Sequence, residues 1–143
     1  MAKTSIFKVA ICFCLLLATY KATADEPFRG KFAGTEFKIQ IDINLYEENV
    51  TVPGMESFGP MNGYMKGTDL YCTWYVSSIK ELGHDKALVH FSNELGSETQ
   101  PVELTLVGDT LLQLKQVKGS WLKKVVGKKL QKLPTEMTFK RKK

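Results

Sequence analysis

Residues 37–45 read Phe-Lys-Ile-Gln-Ile-Asp-Ile-Asn-Leu, with an apolar residue at every odd position and a polar one at every even position. A period of two places one row of side chains inside a sheet and the other outside. The three isoleucines strengthen the reading, because a branched Cβ fits a pleated surface better than a helix.

Shorter runs of the same kind follow. Strands are expected at residues 50–52, 62–66, 70–78, 86–92, 102–107, 110–117 and 137–141. Pro53-Gly54, Gly83-His84-Asp85, the polar stretch 93–97 and Gly108-Asp109 separate them as turns. Leu70, Cys72, Trp74 and Val76 would share one face of their run, and Ala87, Val89 and Phe91 one face of theirs. No long helical pattern alternates with the strands, which argues against a parallel α/β sheet. The chain is therefore expected to be mainly all-β, a single antiparallel meander of about 7–9 strands. Closure into a small barrel removes the exposed edges; a two-layer β-sandwich satisfies the same alternation.

One stretch departs from the pattern. Trp121, Leu122, Val125 and Val126 recur at helical spacing between Ser120 and Gly127, residues suited to the two ends of a helix. A short helix near 120–126 is expected, with a strand bent at glycine as the alternative. Residues 128–133 then run extended.

The N-terminus reads as an export signal. Lys3 and Lys8 precede the apolar run 9–18, and Ala22-Thr23-Ala24 has the small-x-small form of a cleavage site. The run is shorter than the roughly 20 residues needed to span a bilayer. Cleavage after Ala24 would leave a secreted or periplasmic chain with no transmembrane segment: a single β-rich domain over 25–139 and a basic tail over 140–143. A domain of that size can build a core without disulfides. Of the three cysteines only Cys72 remains, and it suits a small buried apolar position in a strand. Asn49-Val50-Thr51 is a glycosylation acceptor in a eukaryotic source.

Charge is distributed unevenly. Residues 25–114 carry 6 basic and 14 acidic side chains, whereas residues 115–143 carry 11 basic and 1 acidic. Lys118, Lys123, Lys124, Lys128 and Lys129 form a candidate basic face for an anionic surface or a protein partner. Complementary pairing inside the sheet accounts for part of the asymmetry equally well. Nucleic acid is disfavoured by export, and by a basic segment whose only aromatics are Trp121 and Phe139.

Motifs for catalysis are absent. His84 and His90 lack partners at zinc spacing, and no GxSxG, P-loop, GxGxxG, HExxH or CxxC occurs. Glu94 and Glu98 form an acidic pair within a polar turn, and with Asn93 they do not match a calcium loop. No catalytic residue, metal or cofactor is expected, and the chain reads as a non-catalytic protein.

The segment Pro-Gly-Met-Glu-Ser-Phe-Gly-Pro-Met-Asn-Gly at 53–63 is a loop by its glycines and prolines, yet it carries Met55, Phe58 and Met61. Those side chains either gate or plug the mouth of a barrel. Together with Tyr64 and Trp74 they are the candidate ligand-binding residues. Ile39, Ile41, Ile43, Val89, Leu104 and Leu112 would form the interior wall, since a barrel of about eight strands is either just filled or holds one small ligand.

Gly30-Lys31-Phe32 near the start and Arg141 on the last strand resemble the lipocalin–calycin type of small secreted barrel. In that family Gly-x-Trp opens the first strand and an arginine covers the tryptophan. Phe32 stands here for tryptophan, and the disulfide pair is missing. The resemblance implies a lipocalin-like binding protein for an apolar or amphipathic small molecule. Fold alone does not fix function, and a surface interaction protein using the basic face is the alternative.

Overall fold

The computed structural model describes residues 26–143. The expected signal peptide lies outside the described residues. Ten strands follow in order: β1 Arg29–Gly34, β2 Gln40–Asn44, β3 Gly63–Lys66, β4 Trp74–Leu82, β5 Lys86–Asn93, β6 Thr99–Val107, β7 Leu111–Gln116, β8 Lys123–Val126, β9 Lys129–Lys132 and β10 Glu136–Arg141. Eight of them form a closed antiparallel barrel in the order β1-β10-β7-β6-β5-β4-β3-β2, and β8 and β9 form a separate two-stranded sheet. The barrel alternative holds, and the sandwich does not.

Alternation drives this architecture. In β6 the residues Val102, Leu104 and Leu106 are buried while Glu103 and Thr105 between them are not. In β7 Leu112 and Leu114 are buried beside exposed Gln113 and Lys115. Closure comes from the first and last barrel strands, with Phe32 opposite Arg141 and Gly34 opposite Phe139. Register shifts in the β4–β5 ladder between Val76 and Ser78, and between Ile79 and Glu81, bend the long fourth strand.

The interior is filled. Ile39, Ile41, Ile43, Val89, Leu104 and Leu112 all expose 3% or less of their surface, and they belong to one core with Phe28, Phe32, Trp74, Phe91, Leu122 and Phe139. Side chains that expose nothing to water border no void able to hold it. An eight-stranded barrel is narrow enough for side chains alone to fill.

Several expectations need correction. No helix forms near 120–126. Val125 and Val126 belong to β8, which turns through Gly127 and Lys128 into β9, with Val125 opposite Leu130. Branched valines favour the extended form, and seven residues are too few to hold a helix without packing. The alternation of 37–45 is a strand only from Gln40 to Asn44. Leu70 to Thr73 precede β4 as a bend, and Cys72 adopts φ +70°, a half-buried thiol against the core. Residues 50–52 contribute only the bridge Val50 to Met61. The strand expected at 137–141 is β10, so Lys140 and Arg141, also counted in a basic tail over 140–143, are strand residues, and the Lys142 amide bonds to the Lys31 carbonyl at 2.8 Å.

The excursion carrying β8 and β9 is rooted in the barrel by buried glutamines. Gln116 accepts from the Leu122 amide at 2.7 Å and donates to the Pro134 carbonyl at 2.9 Å. Gln100 donates to the Lys118 carbonyl and accepts from the Trp121 amide. The Trp121 indole donates to the Leu133 carbonyl at 2.9 Å.

Candidate functional site

The 53–63 loop neither gates nor plugs the barrel. Tyr64 alternates with Met65, whose side chain fills the core, so the tyrosine faces outward. Its cross-strand neighbour Tyr75 alternates in the same way with Trp74. Val50, Val52 and Met55 pack on Tyr64 as a second core on the outer wall, with Met61 and Tyr75 at its margin. Phe58 is 70% exposed. Trp74 lies inside the main core and donates to the Tyr71 carbonyl at 2.9 Å. The five candidate ligand residues are therefore divided among the interior, an outer cluster and open solvent.

Tyr64 of that cluster, with Pro53, lines one side of a groove. Its floor follows from the register: Ala33 on β1, Gln40 on β2 and Lys66 on β3 stand side by side, each pointing away from the core. The opposite wall is the loop 34–39, which carries Phe37. The Gly34 amide closes that loop on the Ile39 carbonyl at 2.8 Å, and the Asp69 carboxylate accepts from the Lys38 amide at 2.7 Å. Gly67 makes the arrangement possible, since a Cβ there would stand 2.0 Å from the Lys38 carbonyl oxygen. The groove encloses about 870 Å³ and is open to solvent. Ala33, Phe37, Ile39, Pro53 and Tyr64 give it an apolar lining, and Lys38, Lys66 and Lys142 stand around it with one acid, Glu36.

Local electrostatics follow from burial. The next outward row runs Lys31, Asp42, Tyr64. Burial pushes the Asp42 carboxyl above the usual carboxylate range, against the pull of Lys31. Burial first, and then the Asp42 charge, raise the Tyr64 phenol. The Lys142 ammonium donates to the Gln40 side chain at 3.3 Å.

Lys123, Lys124, Lys128 and Lys129 lie on the β8–β9 hairpin, and Lys118 lies in the segment that leads to it. Lys123 turns inward to the carbonyls of Ser120 and Trp121, and Lys124 lies 5.3 Å from the centre of the Phe37 ring. Lys118, Lys128 and Lys129 are exposed. Elsewhere the sheet matches its own charges: Glu103, Lys115 and Glu136 stand in one cross-strand row.

Glu94, Glu98 and His84, singled out in the sequence, have local partners. Glu94 accepts from the Thr73 amide at 3.0 Å, and Glu98 lies 3.9 Å from the Lys123 ammonium. His84 contacts Asp85 at 2.8 Å on the surface. Among the described residues no group of three or more His, Cys, Asp or Glu side chains is placed to hold a metal. Burial, and then Glu94 and Glu98, raise the Cys72 thiol, which opposes formation of a reactive thiolate.

Phe37, Lys66 and Lys142 are groove residues that sequence reasoning missed, and Pro53 entered it only as the first residue of the 53–63 loop. They come from four separate segments, brought together by the alignment of β1, β2 and β3 and by the loops around it. The available signal was Gly34-Thr35-Glu36, a turn at the head of the alternating run. No protein-family model matches the chain, and neither a curated protein nor a solved structure matches it.

Proposed function

We propose that this chain is an exported, non-catalytic binding protein that holds an amphipathic anion in the groove beside the β1–β2 loop. Export rests on Lys3, Lys8, the apolar run 9–18 and Ala22-Thr23-Ala24. The single observation that carries the binding reading is the pairing of a large groove, lined in part by Ala33, Phe37, Ile39, Pro53 and Tyr64, with three lysines, on a barrel whose interior is already full. The volume falls in the range of small-molecule sites, which combine apolar lining with a few polar groups that fix orientation. Phe37 and Tyr64 offer flat surfaces for a hydrocarbon body, and Lys38, Lys66 and Lys142 suit a carboxylate or phosphate head.

The test is calorimetric titration of residues 25–143 with a long-chain fatty carboxylate and with its methyl ester. The carboxylate is expected to bind and the ester to bind more weakly. Lys66→Glu with Lys142→Glu is expected to weaken carboxylate binding by about tenfold or more, equivalent to about 1.4 kcal/mol. Equal binding of acid and ester, or a double variant that binds as the parent does, contradicts the reading.

A further inference from the structure

The β8–β9 hairpin is built unlike the rest of the molecule. Every residue of β9 is exposed. Val125 and Leu130 face each other across the hairpin at 54% and 48% exposure. Val126, the next residue along and so on the opposite face, is 49% exposed. Exposed Leu95 and Tyr71 continue the apolar surface across a shallow hollow that Leu130 also lines. Two-stranded sheets are marginal alone in water. This one is carried on a base fixed by Gln100 and Gln116.

Residues 117–135 hold six lysines and no carboxylate. Lys123, Lys124 and Lys132 are engaged with carbonyls or rings. Lys118, Lys128 and Lys129 are exposed and have no ion pair among the described residues.

We infer that this hairpin docks the protein on a lipid bilayer bearing anionic headgroups. The decisive geometry is that apolar side chains occupy both faces, Val125 and Leu130 on one and Val126 on the other, with Lys129 opposite Val126 and Lys128 in the turn. A flat protein surface would cover only one of these faces. A fluid interface surrounds both faces: the valines and Leu130 enter the acyl boundary, and the lysine stems lie along it with their ammonium groups at the phosphates. The charge excess supplies the attraction and the apolar residues supply the depth.

Sedimentation of residues 25–143 with phosphatidylglycerol/phosphatidylcholine vesicles tests this against phosphatidylcholine vesicles alone. Binding is expected only to the anionic vesicles, and it falls steeply as salt rises. Lys128→Ala with Lys129→Ala is expected to weaken it by about thirtyfold, each lysine near an anionic surface being worth roughly fivefold. Val125→Trp and Val126→Trp, made separately, are each expected to shift their emission to the blue on the anionic vesicles. The groove variant Lys66→Glu/Lys142→Glu is expected to keep vesicle binding, which separates the hairpin from the groove. Equal binding to neutral vesicles, no binding, indifference to the two lysines, or a blue shift at only one of the two positions overturns the proposal. Equally tight binding to soluble polyglutamate overturns it in favour of an acidic protein partner.

Discussion

The Arg141 guanidinium lies 4.6 Å from the centre of the Phe32 ring and donates to three backbone carbonyls, those of Pro27, Arg29 and Asp109. One side chain thus ties the last barrel strand to the segment entering the first and to the β6–β7 turn. Gly30 leaves room for it, since a Cβ there would stand 2.6 Å from an Arg141 nitrogen at a φ of +148°. A lysine has neither the planar fork nor the stacking face. Arg141→Lys is expected to cost about 1–3 kcal/mol in urea denaturation. Gly30→Ala should cost less in an Arg141→Ala background than in the parent, because part of its penalty is collision with the guanidinium. Strict additivity of the two changes would remove this coupling.

Gln116 holds the root of the β8–β9 excursion. Gln116→Leu leaves the Leu122 amide and the Pro134 carbonyl without their partner, at an expected cost of about 2 kcal/mol or more. Hydrogen exchange gives the specific readout. The Leu122 amide should lose protection while the β5 and β6 amides keep theirs relative to global stability. Uniform loss across the barrel contradicts a local anchoring role.

A filled interior makes its own prediction. Leu104 is completely buried, and Leu104→Ala is expected to cost about 2–5 kcal/mol. The void it leaves is lined by hydrocarbon and should take up a small apolar guest such as benzene, which the parent does not. Benzene uptake inside the parent barrel would show that the core is not full.

Asp42 carries a pH signature. Burial is the larger influence and raises its pKa in the fold, so the native state holds the proton more firmly than the unfolded chain does. Its stabilising contribution is complete in acid, below the unfolded value, and is lost as pH rises through the raised folded value. Asp42→Asn should therefore melt higher than the parent near neutral pH, with the difference closing in acid. The gain is expected to stay under about 1 kcal/mol, because the carboxyl keeps much of its water. A difference that widens in acid would reverse the sign of this account.

The strands were legible because their evidence is local, whereas closure into a barrel, which pairs β1 with β10, was not decided by an alternation that a sandwich shares. Ile41 and Ile43, Leu104 and Leu106, and Leu112 and Leu114 announce their inward faces within a few residues. What failed was also local, but ambiguous. Trp121, Leu122, Val125 and Val126 fit a helical spacing as well as they fit two short extended pieces, and the buried glutamines that choose between these lie elsewhere in sequence. Met55, Phe58 and Met61 were recognisable as apolar side chains on a loop. Their destination depended on Tyr64 and Tyr75 facing outward as cross-strand neighbours, which is a matter of register. The groove was invisible for the same reason. Lys66 and Lys142 are unremarkable surface lysines until β1, β2 and β3 are aligned.

Nuclear magnetic resonance of residues 25–143 titrated with dodecanoate measures directly where an amphipathic anion sits. Chemical-shift changes are predicted at Ala33, Phe37, Ile39, Tyr64 and Lys66, with Leu104, Leu112 and Val89 unmoved. Saturable changes centred on Val89, Leu104 and Leu112 would place the ligand inside the barrel and contradict the groove.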